Sequence, residues 1–307
     1  MLRAPRVAIT VGDPRGIGPE VVARVLESPP TGADFRVIGP AAVLDHLPDV
    51  GTRLPIPDND FGPDAAGSWS PHQAGMVTVR SVEYATELAL SGQVDAIVTA
   101  PAEKRALHLA GRDFPGHTEW LAALAGGVDV AMMLVAGELR VVLLTTHIPL
   151  RQVPDAITVE RILTVGHLTR RALETHWAIE DPRLALCALN PHAGEGGVFG
   201  TEDQEILEPA AHELGAVGPL SADTVFVRAR RGEFDAVLVP AHDVGMTAVK
   251  VAGFGTGVNV TLGLPFVRTA PDHGTAFDIA GKGVADPGSM REAVRLAIRL
   301  AGGPRQG

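Results

Sequence analysis

The stretch Ala236–His242, Ala-Val-Leu-Val-Pro-Ala-His, is a short aliphatic run that ends in a histidine. Two further stretches, Val141–His147 and Leu186–His192, repeat this arrangement. Because each run is short, aliphatic and bounded by Pro or Gly, each predicts a buried strand. Ligands of open α/β sheets bind beyond the carboxyl ends of the strands, so the three histidines could converge on one divalent metal ion. The alternative is that each histidine makes only a local hydrogen bond at a strand end.

Strand-like runs alternate with helix-like stretches along most of the chain, which predicts an α/β fold with a substantially parallel sheet. The predicted strands are Arg6–Thr10, Phe35–Ile38, Met76–Val79, Ala96–Thr99, Val130–Val135, Val141–Thr145, Leu184–Leu189 and Ala236–Val239. The predicted helices are Pro19–Leu26, Val82–Ser91, Ile157–Trp177 and Met290–Ala301. Between them, the segment Pro55–Gly75 is rich in Pro, Gly, Asp and Ser and predicts an irregular surface loop.

The length of 307 residues allows one large or two moderate domains. Glycine-rich points near Gly126 and again at Gly253–Gly257 suggest where the domains change. We therefore predict a first α/β domain made of residues 1–125 and 258–307, and a second α/β domain made of residues 126–257.

Composition excludes several classes of partner. The formal net charge is −10 and there is no Lys/Arg-rich run, which argues against a nucleic-acid or anionic-membrane partner. The single cysteine, Cys187, excludes an intramolecular disulfide and a Cys-rich metal site. The first ten residues lack the apolar segment of a signal peptide, and no apolar run approaches the ~20 residues of a membrane span, so we predict a cytoplasmic protein.

The segment Gly12–Glu20, Gly-Asp-Pro-Arg-Gly-Ile-Gly-Pro-Glu, joins a predicted strand to a predicted helix. It lacks the third glycine of the dinucleotide fingerprint, because Val21 stands where that glycine would be. The chain also has no phosphate loop of the GxxxxGK[ST] type. A Rossmann enzyme and a P-loop ATPase are therefore disfavoured, and the segment is either a structural corner or the edge of a ligand cleft.

Two glycine-containing segments carry polar groups suited to a ligand. The loop Asn190–Gly197 combines an Asn, a His and a Glu with four glycines or alanines directly after a predicted strand, which favours a functional role. In Gly116–Glu119, Thr118 is a candidate helix N-cap. Alternatively, His117 and Thr118 could donate to an anionic phosphate at the helix N-terminus.

The segment from Lys250 to Ala285 holds most of the remaining polar candidates. Lys250 and Arg268 are cations for a carboxylate or a phosphate, and Asn259 can both donate and accept. At an adenosine site, Asp278 would accept from both ribose hydroxyls and repel a 2′-phosphate, which favours NAD over NADP.

Taken together, these segments resemble the 4-hydroxythreonine-4-phosphate dehydrogenase family of vitamin B6 synthesis and its relatives that act on 4-phosphorylated threonate or erythronate. The resemblance extends from Gly12–Glu20 to Ala285. It implies two α/β domains flanking a cleft, as in isocitrate and isopropylmalate dehydrogenases, with NAD bound without a Rossmann motif. The segment His273–Gly283 is similar to the adenosine-ribose loop of those enzymes.

The resemblance also assigns site residues and an assembly. It implies a homodimer whose active site lies at the subunit interface, with metal ligands drawn from both subunits. The implied metal ligands are His147, His192 and His242. The implied substrate-binding residues are His117, Thr118, Lys250, Asn259 and Arg268, and the implied cofactor-binding residues are His273, Gly274 and Asp278.

The reaction implied is NAD-dependent oxidation of 4-phosphohydroxy-L-threonine at C3, followed by decarboxylation to 3-amino-2-oxopropyl phosphate. A divalent metal ion (Zn, Co, Ni, Mn or Mg, with three imidazoles favouring the transition metals) would lower the pKa of the substrate hydroxyl. Asp243 and Lys104 are candidate general bases. The family usually has Tyr and Gln where this chain has Ala241 and Val244, which leaves the exact substrate open.

Three other functions remain open at this point. The nearest is oxidation of 4-phospho-D-threonate or 4-phospho-D-erythronate to give dihydroxyacetone phosphate. A more distant one is metal-dependent hydrolysis without NAD. The last is a binding protein that has lost its activity.

Overall fold

The computed structural model describes residues 3–57 and 61–303. Contacts between Cα atoms divide these residues into two compact units, residues 3–128 with Leu264–Gly302 and residues Asp129–Gly263. The predicted second domain change precedes Val258, whereas the unit boundary follows Gly263, because the strand Val258–Leu262 pairs with the strand Ala131–Ala136. That the two units act as separate domains stays a prediction.

The secondary structure of the described residues alternates strands with helices. The strands are β1 Arg6–Thr10, β2 Asp34–Gly39, β3 Thr52–Pro55, β4 Ala96–Thr99, β5 Ala131–Ala136, β6 Leu139–Leu143, β7 Leu184–Cys187, β8 Val217–Leu220, β9 Ala236–Val239, β10 Val258–Leu262 and β11 Val267–Pro271. The helices are α1 Gly18–Glu27, α2 Ala41–Leu44, α3 Pro71–Leu90, α4 Lys104–Leu109, α5 His117–Leu124, α6 Val153–Ala156, α7 Val159–His176, α8 Glu208–Leu214, α9 Ala222–Arg230, α10 His242–Ala252 and α11 Gly288–Ala301.

The first unit is built on parallel strands in the order β3-β2-β1-β4-β11. All four residues of β4 are buried, as expected for a strand covered on both faces. Helices α3 and α11 pack against these strands. In α11 the buried positions Met290, Ala293, Val294 and Ala297 recur at the spacing of one helix face, so this helix covers the sheet with a continuous apolar stripe.

The second unit is built on strands in the order β10-β5-β6-β9-β7-β8. The pairs β10–β5 and β5–β6 are antiparallel, whereas the pairs β6–β9, β9–β7 and β7–β8 are parallel. Its core contains aliphatic side chains of β6 and β9, among them Val141, Leu143, Val237 and Val239. Because β6, β9 and β7 run in the same direction, their carboxyl ends lie at one edge of this sheet.

The prediction of a strand at Met76–Val79 is wrong, because these residues lie inside the 20-residue helix α3. Ser70 caps that helix: its Oγ accepts from the backbone of Gln73, and the Gln73 side chain accepts from the backbone of Ser70. The helix buries Val77, Thr78 and Val79 along with Ala74, so packing overrides their preference for strands.

No helix among the described residues is both long and apolar enough to cross a membrane.

The predicted loop Pro55–Gly75 is partly wrong. Strand β3 ends at Pro55 and α3 begins at Pro71, so irregular structure is confined to the middle of the segment, of which residues 58–60 lie outside the described range. Strands β10 and β11 were not predicted, because Asn259, Thr261 and Arg268 interrupt their apolar pattern.

Candidate active site

Two of the three predicted metal ligands lie side by side at the edge of the second unit. His147 follows β6, and His242 is the first residue of α10 after β9, the parallel neighbour of β6. Their ring centroids are 5.6 Å apart, and both side chains reach solvent. The Nδ1 of His242 is 2.8 Å from Asp243 Oδ1, so this nitrogen carries the proton and Nε2 is left as the metal-binding atom. The pair therefore fits a transition-metal ion.

The third predicted ligand, His192, lies on the loop after β7, and its side chain is 64% exposed. Its Nδ1 is 3.9 Å from Asp223 Oδ2 at the start of α9. Among residues 3–57 and 61–303, no three His, Cys, Asp or Glu side chains form a group able to hold a metal ion. A single copy therefore presents His147 and His242 as a pair and His192 separately.

The loop that carries His192 is wound in the left-handed sense. Five successive residues, His192 to Gly196, have φ between 42° and 76°. Left-handed backbone costs roughly 1–2 kcal/mol for each residue with a Cβ, and three of these five have one. Residues held this way occur where the surrounding structure fixes them, often at functional sites.

Asp203, which the sequence did not single out, holds the start of this loop. Its side chain is fully buried, Oδ1 accepts from Leu189 N at 2.8 Å, and Oδ2 accepts from Asn190 N at 3.0 Å. The residue opens a π-helical turn, Asp203–Leu207. A carboxylate 11 residues after His192 has no sequence signature, so only the structure could reveal this contact.

The first unit contains a buried cation beside a neutral imidazole. Arg268 of β11 is 3% exposed, and its Nη2 donates to Thr99 Oγ1 at 2.6 Å. Burial lowers the pKa of Arg268 to about 10 while Glu119 opposes this change, so the guanidinium stays charged at neutral pH. Burial, and then the charge of Arg268, lower the pKa of His117 to about 3. This arrangement can bind the phosphate or the carboxylate of a small molecule.

Thr118 is not the helix N-cap that the sequence predicted. Helix α5 begins at His117 with Gly116 as the N-cap residue, and no side chain caps it. Thr118 is therefore inside the first turn, where it is 5% exposed. The helix starts two residues earlier than a Thr118 N-cap would place it, because Gly116 adopts extended backbone (φ −169°, ψ −177°) immediately before it.

Two further predicted substrate-binding residues belong to the second unit. Lys250 lies in the last turn of α10 and is half-buried. Asn259 lies in β10, and its Oδ1 is buried without a hydrogen-bond partner in the described structure. A buried amide oxygen without a donor is the kind of group that a ligand can satisfy.

The predicted cofactor residues His273, Gly274 and Asp278 lie on the loop after β11, and Asp278 is exposed. The segment Gly12–Glu20 supports this loop, because Ile17 N donates to Thr275 O at 2.9 Å. A Cβ on Gly16 would lie 2.8 Å from the same carbonyl oxygen, so glycine is required there. The strand–helix corner therefore braces the loop that is predicted to bind the cofactor.

The two candidate general bases differ in their surroundings. Asp243 is almost fully exposed and lies against His242, an arrangement that favours orienting the imidazole. Lys104 is the exposed first residue of α4. The role of either residue as a base stays a prediction.

The low pKa of His117 makes a prediction about stability. In the unfolded chain the imidazole takes up a proton near pH 6.5, whereas in the folded protein it stays neutral down to about pH 3. The stabilisation is therefore complete above pH 6.5 and is lost as the pH falls toward 3. Between pH 7.5 and 4.5 this group alone should lower the free energy of unfolding by about 3 kcal/mol.

Urea denaturation of wild type and of His117→Gln at both pH values measures this effect. The variant should lose about 3 kcal/mol less than wild type over this range. His72→Gln, at an exposed position of the same unit, is the matched control and should follow wild type. If wild type and His117→Gln lost the same free energy of unfolding between pH 7.5 and 4.5, the prediction would be wrong.

The fold and these groups define an α/β enzyme equipped for a small anionic substrate. Residues 46–297 match the family model described as pyridoxal phosphate biosynthetic protein PdxA. Over 98% of both chains, the sequence is 43% identical to a 4-hydroxythreonine-4-phosphate dehydrogenase of Chromobacterium violaceum. The chain belongs to the PdxA family.

Two further comparisons agree with this assignment. A D-threonate 4-phosphate dehydrogenase of Salmonella typhimurium is 43% identical, with 96% of this chain and 98% of that protein covered. The crystal structure of 4-hydroxythreonine-4-phosphate dehydrogenase from Klebsiella pneumoniae superposes with a TM-score of 0.87 at 39% identity, covering 97% of this chain and 98% of that one.

These comparisons confirm three predictions made from the sequence. The family is confirmed, and so is the class of enzyme, a dehydrogenase. The fold class is confirmed as the mixed α/β fold of PdxA-type dehydrogenases. The site residues are not tested by the comparisons and stay predictions.

Proposed function

We propose that this chain catalyses the NAD-dependent and divalent-metal-dependent oxidation of 4-phosphohydroxy-L-threonine at C3, followed by decarboxylation to 3-amino-2-oxopropyl phosphate. The product would serve pyridoxal phosphate synthesis. The observation that carries the proposal is the pairing of His147 and His242 at 5.6 Å in a chain of the PdxA family. NADP is a possible substitute for NAD.

Each predicted site residue has a role in this proposal. His147, His192 and His242 would hold one ion of Zn, Co, Ni, Mn or Mg. When bound, such an ion would lower the pKa of the substrate hydroxyl and polarise the new ketone, and NAD would supply the acceptor for the C3 hydride. The substrate would be bound by His117, Thr118, Lys250, Asn259 and Arg268, and the NAD by His273, Gly274 and Asp278.

The charged groups do most of the positioning in this scheme. Arg268, charged and buried, would bind the phosphate or carboxylate, with His117 as an uncharged hydrogen-bonding partner. Holding the anion in one place fixes C3 relative to the cofactor, which turns binding energy into orientation. Asp278 would accept hydrogen bonds from the adenosine ribose.

We further propose a cytoplasmic homodimer with the active site at the subunit interface. The support is that one copy groups only two of the three histidines among the described residues. A second copy related by twofold symmetry would supply the missing imidazole.

A second candidate substrate is 4-phospho-D-threonate or 4-phospho-D-erythronate, which would yield dihydroxyacetone phosphate. The Salmonella D-threonate 4-phosphate dehydrogenase favours it, because its 43% identity equals that of the Chromobacterium enzyme. Ala241 and Val244, which flank the His242–Asp243 pair, also distinguish this chain from the family's usual Tyr and Gln.

The test is NAD reduction by metal-reconstituted protein with the two substrates measured side by side. We expect kcat/KM for 4-phosphohydroxy-L-threonine to exceed that for 4-phospho-D-threonate by about tenfold or more. The reverse preference would establish the second candidate. No reduction with either substrate would overturn the proposal.

Asp278→Ala separates a dehydrogenase from a metal-dependent hydrolase. If Asp278 binds the ribose, its loss should raise the KM for NAD about tenfold or more, because hydrogen bonds to a charged group are removed. The KM for the phosphorylated substrate should remain close to that of wild type. A hydrolase would show neither a need for NAD nor an effect of this substitution.

A further inference from the structure

The side chain of Arg15 is fixed in the first unit by two carboxylates. Its Nε lies 3.1 Å from Asp13 Oδ1 and its Nη2 lies 2.7 Å from Asp13 Oδ2, so the guanidinium binds this carboxylate through two nitrogens. Nη2 also lies 2.6 Å from Glu103 Oε2. Asp13 is itself fully buried, and its backbone N donates to Pro101 O at 3.0 Å. These contacts give the plane of the guanidinium a single orientation.

This guanidinium packs against the aromatic ring of Phe277. The Cζ of Arg15 lies over the ring at 5.1 Å from its centroid, and Phe277 belongs to the loop after β11. An arginine that is already bound to carboxylates can still stack on a ring, because its edge makes the hydrogen bonds and its flat face packs on the ring. The contact therefore depends on shape and needs no unbalanced charge on Arg15.

The loop after β11 is held at two points by residues 12–20. Ile17 N donates to Thr275 O at 2.9 Å, and Arg15 packs on Phe277. Between these two points Ala276 has left-handed backbone, with a φ of 42°. This conformation is unfavourable for a residue with a Cβ and persists where surrounding contacts fix it. The loop therefore depends on both contacts for its conformation.

The position of Asp278 follows from that of Phe277, the residue directly before it. The Asp278 side chain is exposed, and it is the group predicted to accept hydrogen bonds from the adenosine ribose. Such bonds form only when donor and acceptor lie about 2.5–3.0 Å apart. A shift of the loop would therefore weaken them even though the carboxylate itself is unchanged.

We infer that Arg15 is a positioning residue for the cofactor, because its stacking on Phe277 holds the loop in the conformation that presents Asp278 to the adenosine ribose of NAD. The role of Asp278 in this inference rests on the proposed function. The contact between Arg15 and the loop rests on the structure alone.

Three variants isolate this contact. Arg15→Lys keeps a positive charge beside Asp13 but has no flat face for the ring. Phe277→Leu removes the ring and leaves the ion pairs of Arg15 in place. The double variant tests whether the two residues act through each other, since changes at two ends of one contact have non-additive effects.

The chain offers a matched control in Arg228 of the second unit. Its Cζ lies over the ring of Phe234 at 5.0 Å from the centroid, and its Nε donates to Glu233 Oε2 at 2.9 Å. Arg228→Lys therefore makes the same change at an arginine that is likewise stacked on a ring and bound to a carboxylate. It leaves the loop after β11 untouched.

Two readouts are measured on the full-length protein. The first is amide hydrogen exchange of residues 273–283 without ligand, which reports how firmly the loop is held. The second is the Kd of NADH from its fluorescence, together with KM for NAD and for the phosphorylated substrate in the metal-loaded protein. Each single variant should speed exchange in the loop and raise both the NADH Kd and the KM for NAD about fivefold, as expected for loss of one such contact. The kcat and the KM for the phosphorylated substrate should change less than about twofold, because only cofactor binding is affected.

The double variant should bind NADH about as weakly as the weaker single variant, and Arg228→Lys should match wild type. Effects that multiply in the double variant, or loop exchange in Arg15→Lys equal to that in Arg228→Lys, would overturn the inference. If Arg15→Lys does not fold, Phe277→Leu decides: faster loop exchange supports the inference and unchanged exchange overturns it. If wild type binds no NADH, the cofactor in the proposed function is wrong, while the exchange measurement still decides whether Arg15 holds the loop.

Discussion

Coexpression of His192→Ala with His242→Ala is expected to restore about a quarter of the wild-type activity, because half of randomly assembled twofold dimers are mixed and each mixed dimer holds one intact site. Each variant alone should lose activity by about a thousandfold or more, since the metal ligands act as a unit. The restoration follows from the proposed homodimer. Within one copy His147 and His242 are paired at 5.6 Å, and in the proposed site the third imidazole, His192, would come from the second copy.

His147→Ala coexpressed with His242→Ala is the matched control. Both of these ligands come from the same copy, so every site in a mixed dimer still lacks one of them, and activity should stay at the level of the single variants. Metal content measured by mass spectrometry on the separated mixed dimer should follow the same pattern. Restoration in both mixtures, or in neither, would contradict a shared site arranged in this way.

Asp203→Ala should lower the free energy of unfolding by about 3–5 kcal/mol, because it removes a buried carboxylate and leaves two backbone N–H groups without acceptors. Those N–H groups belong to Leu189 and Asn190, which lead into the left-handed loop of His192. Release of this loop should also weaken zinc binding by about tenfold to a hundredfold, as is typical when the support of a metal ligand is lost.

Urea denaturation and competition with a fluorescent zinc chelator measure the two effects of Asp203. Asp203→Asn has an amide that can accept from only one of the two N–H groups. Its free energy of unfolding and its zinc affinity should therefore lie between those of wild type and Asp203→Ala. This variant replaces Asp203→Ala in both measurements if the Ala variant does not fold. Glu202→Gln is the control on the same loop, because its side-chain oxygen can still accept from Asn190 Nδ2. It should change stability by less than about 0.5 kcal/mol. A stable Asp203→Ala protein with unaltered zinc affinity would show that the carboxylate does not support His192.

The sequence predicted those parts of the fold that depend on continuous apolar runs. Strands β1, β4 and β9 match their predictions residue for residue, because each is short, aliphatic and buried. The structure also places His147, His192 and His242 after β6, β7 and β9, three parallel strands, as the sequence predicted.

The remaining elements depend on contacts between distant residues. The β-branched residues 77–79 form part of a helix because Ser70 and Gln73 fix its start and its neighbours bury its faces. Strands β10 and β11 are almost entirely buried and yet contain polar residues. Their short sequences therefore do not show the continuous apolar run that predicts a buried strand. Asp203 accepts hydrogen bonds from Leu189 and Asn190, and Thr99 accepts one from Arg268. In each case the two residues are 13 or more positions apart in the sequence, so no spacing rule predicts the contact.

The uncharged state of His117 has a consequence for how binding responds to acidity. Between pH 5 and 8 the charges of His117 and Arg268 do not change, because their pKa values of about 3 and about 10 lie outside this interval. A phosphate monoester, in contrast, gains its second negative charge near pH 6. If the proposed substrate phosphate binds beside these two residues, the group that titrates in this interval would be the phosphate itself. A change in its binding between pH 5 and 8 would then report the ionisation of the substrate and not that of His117 or Arg268.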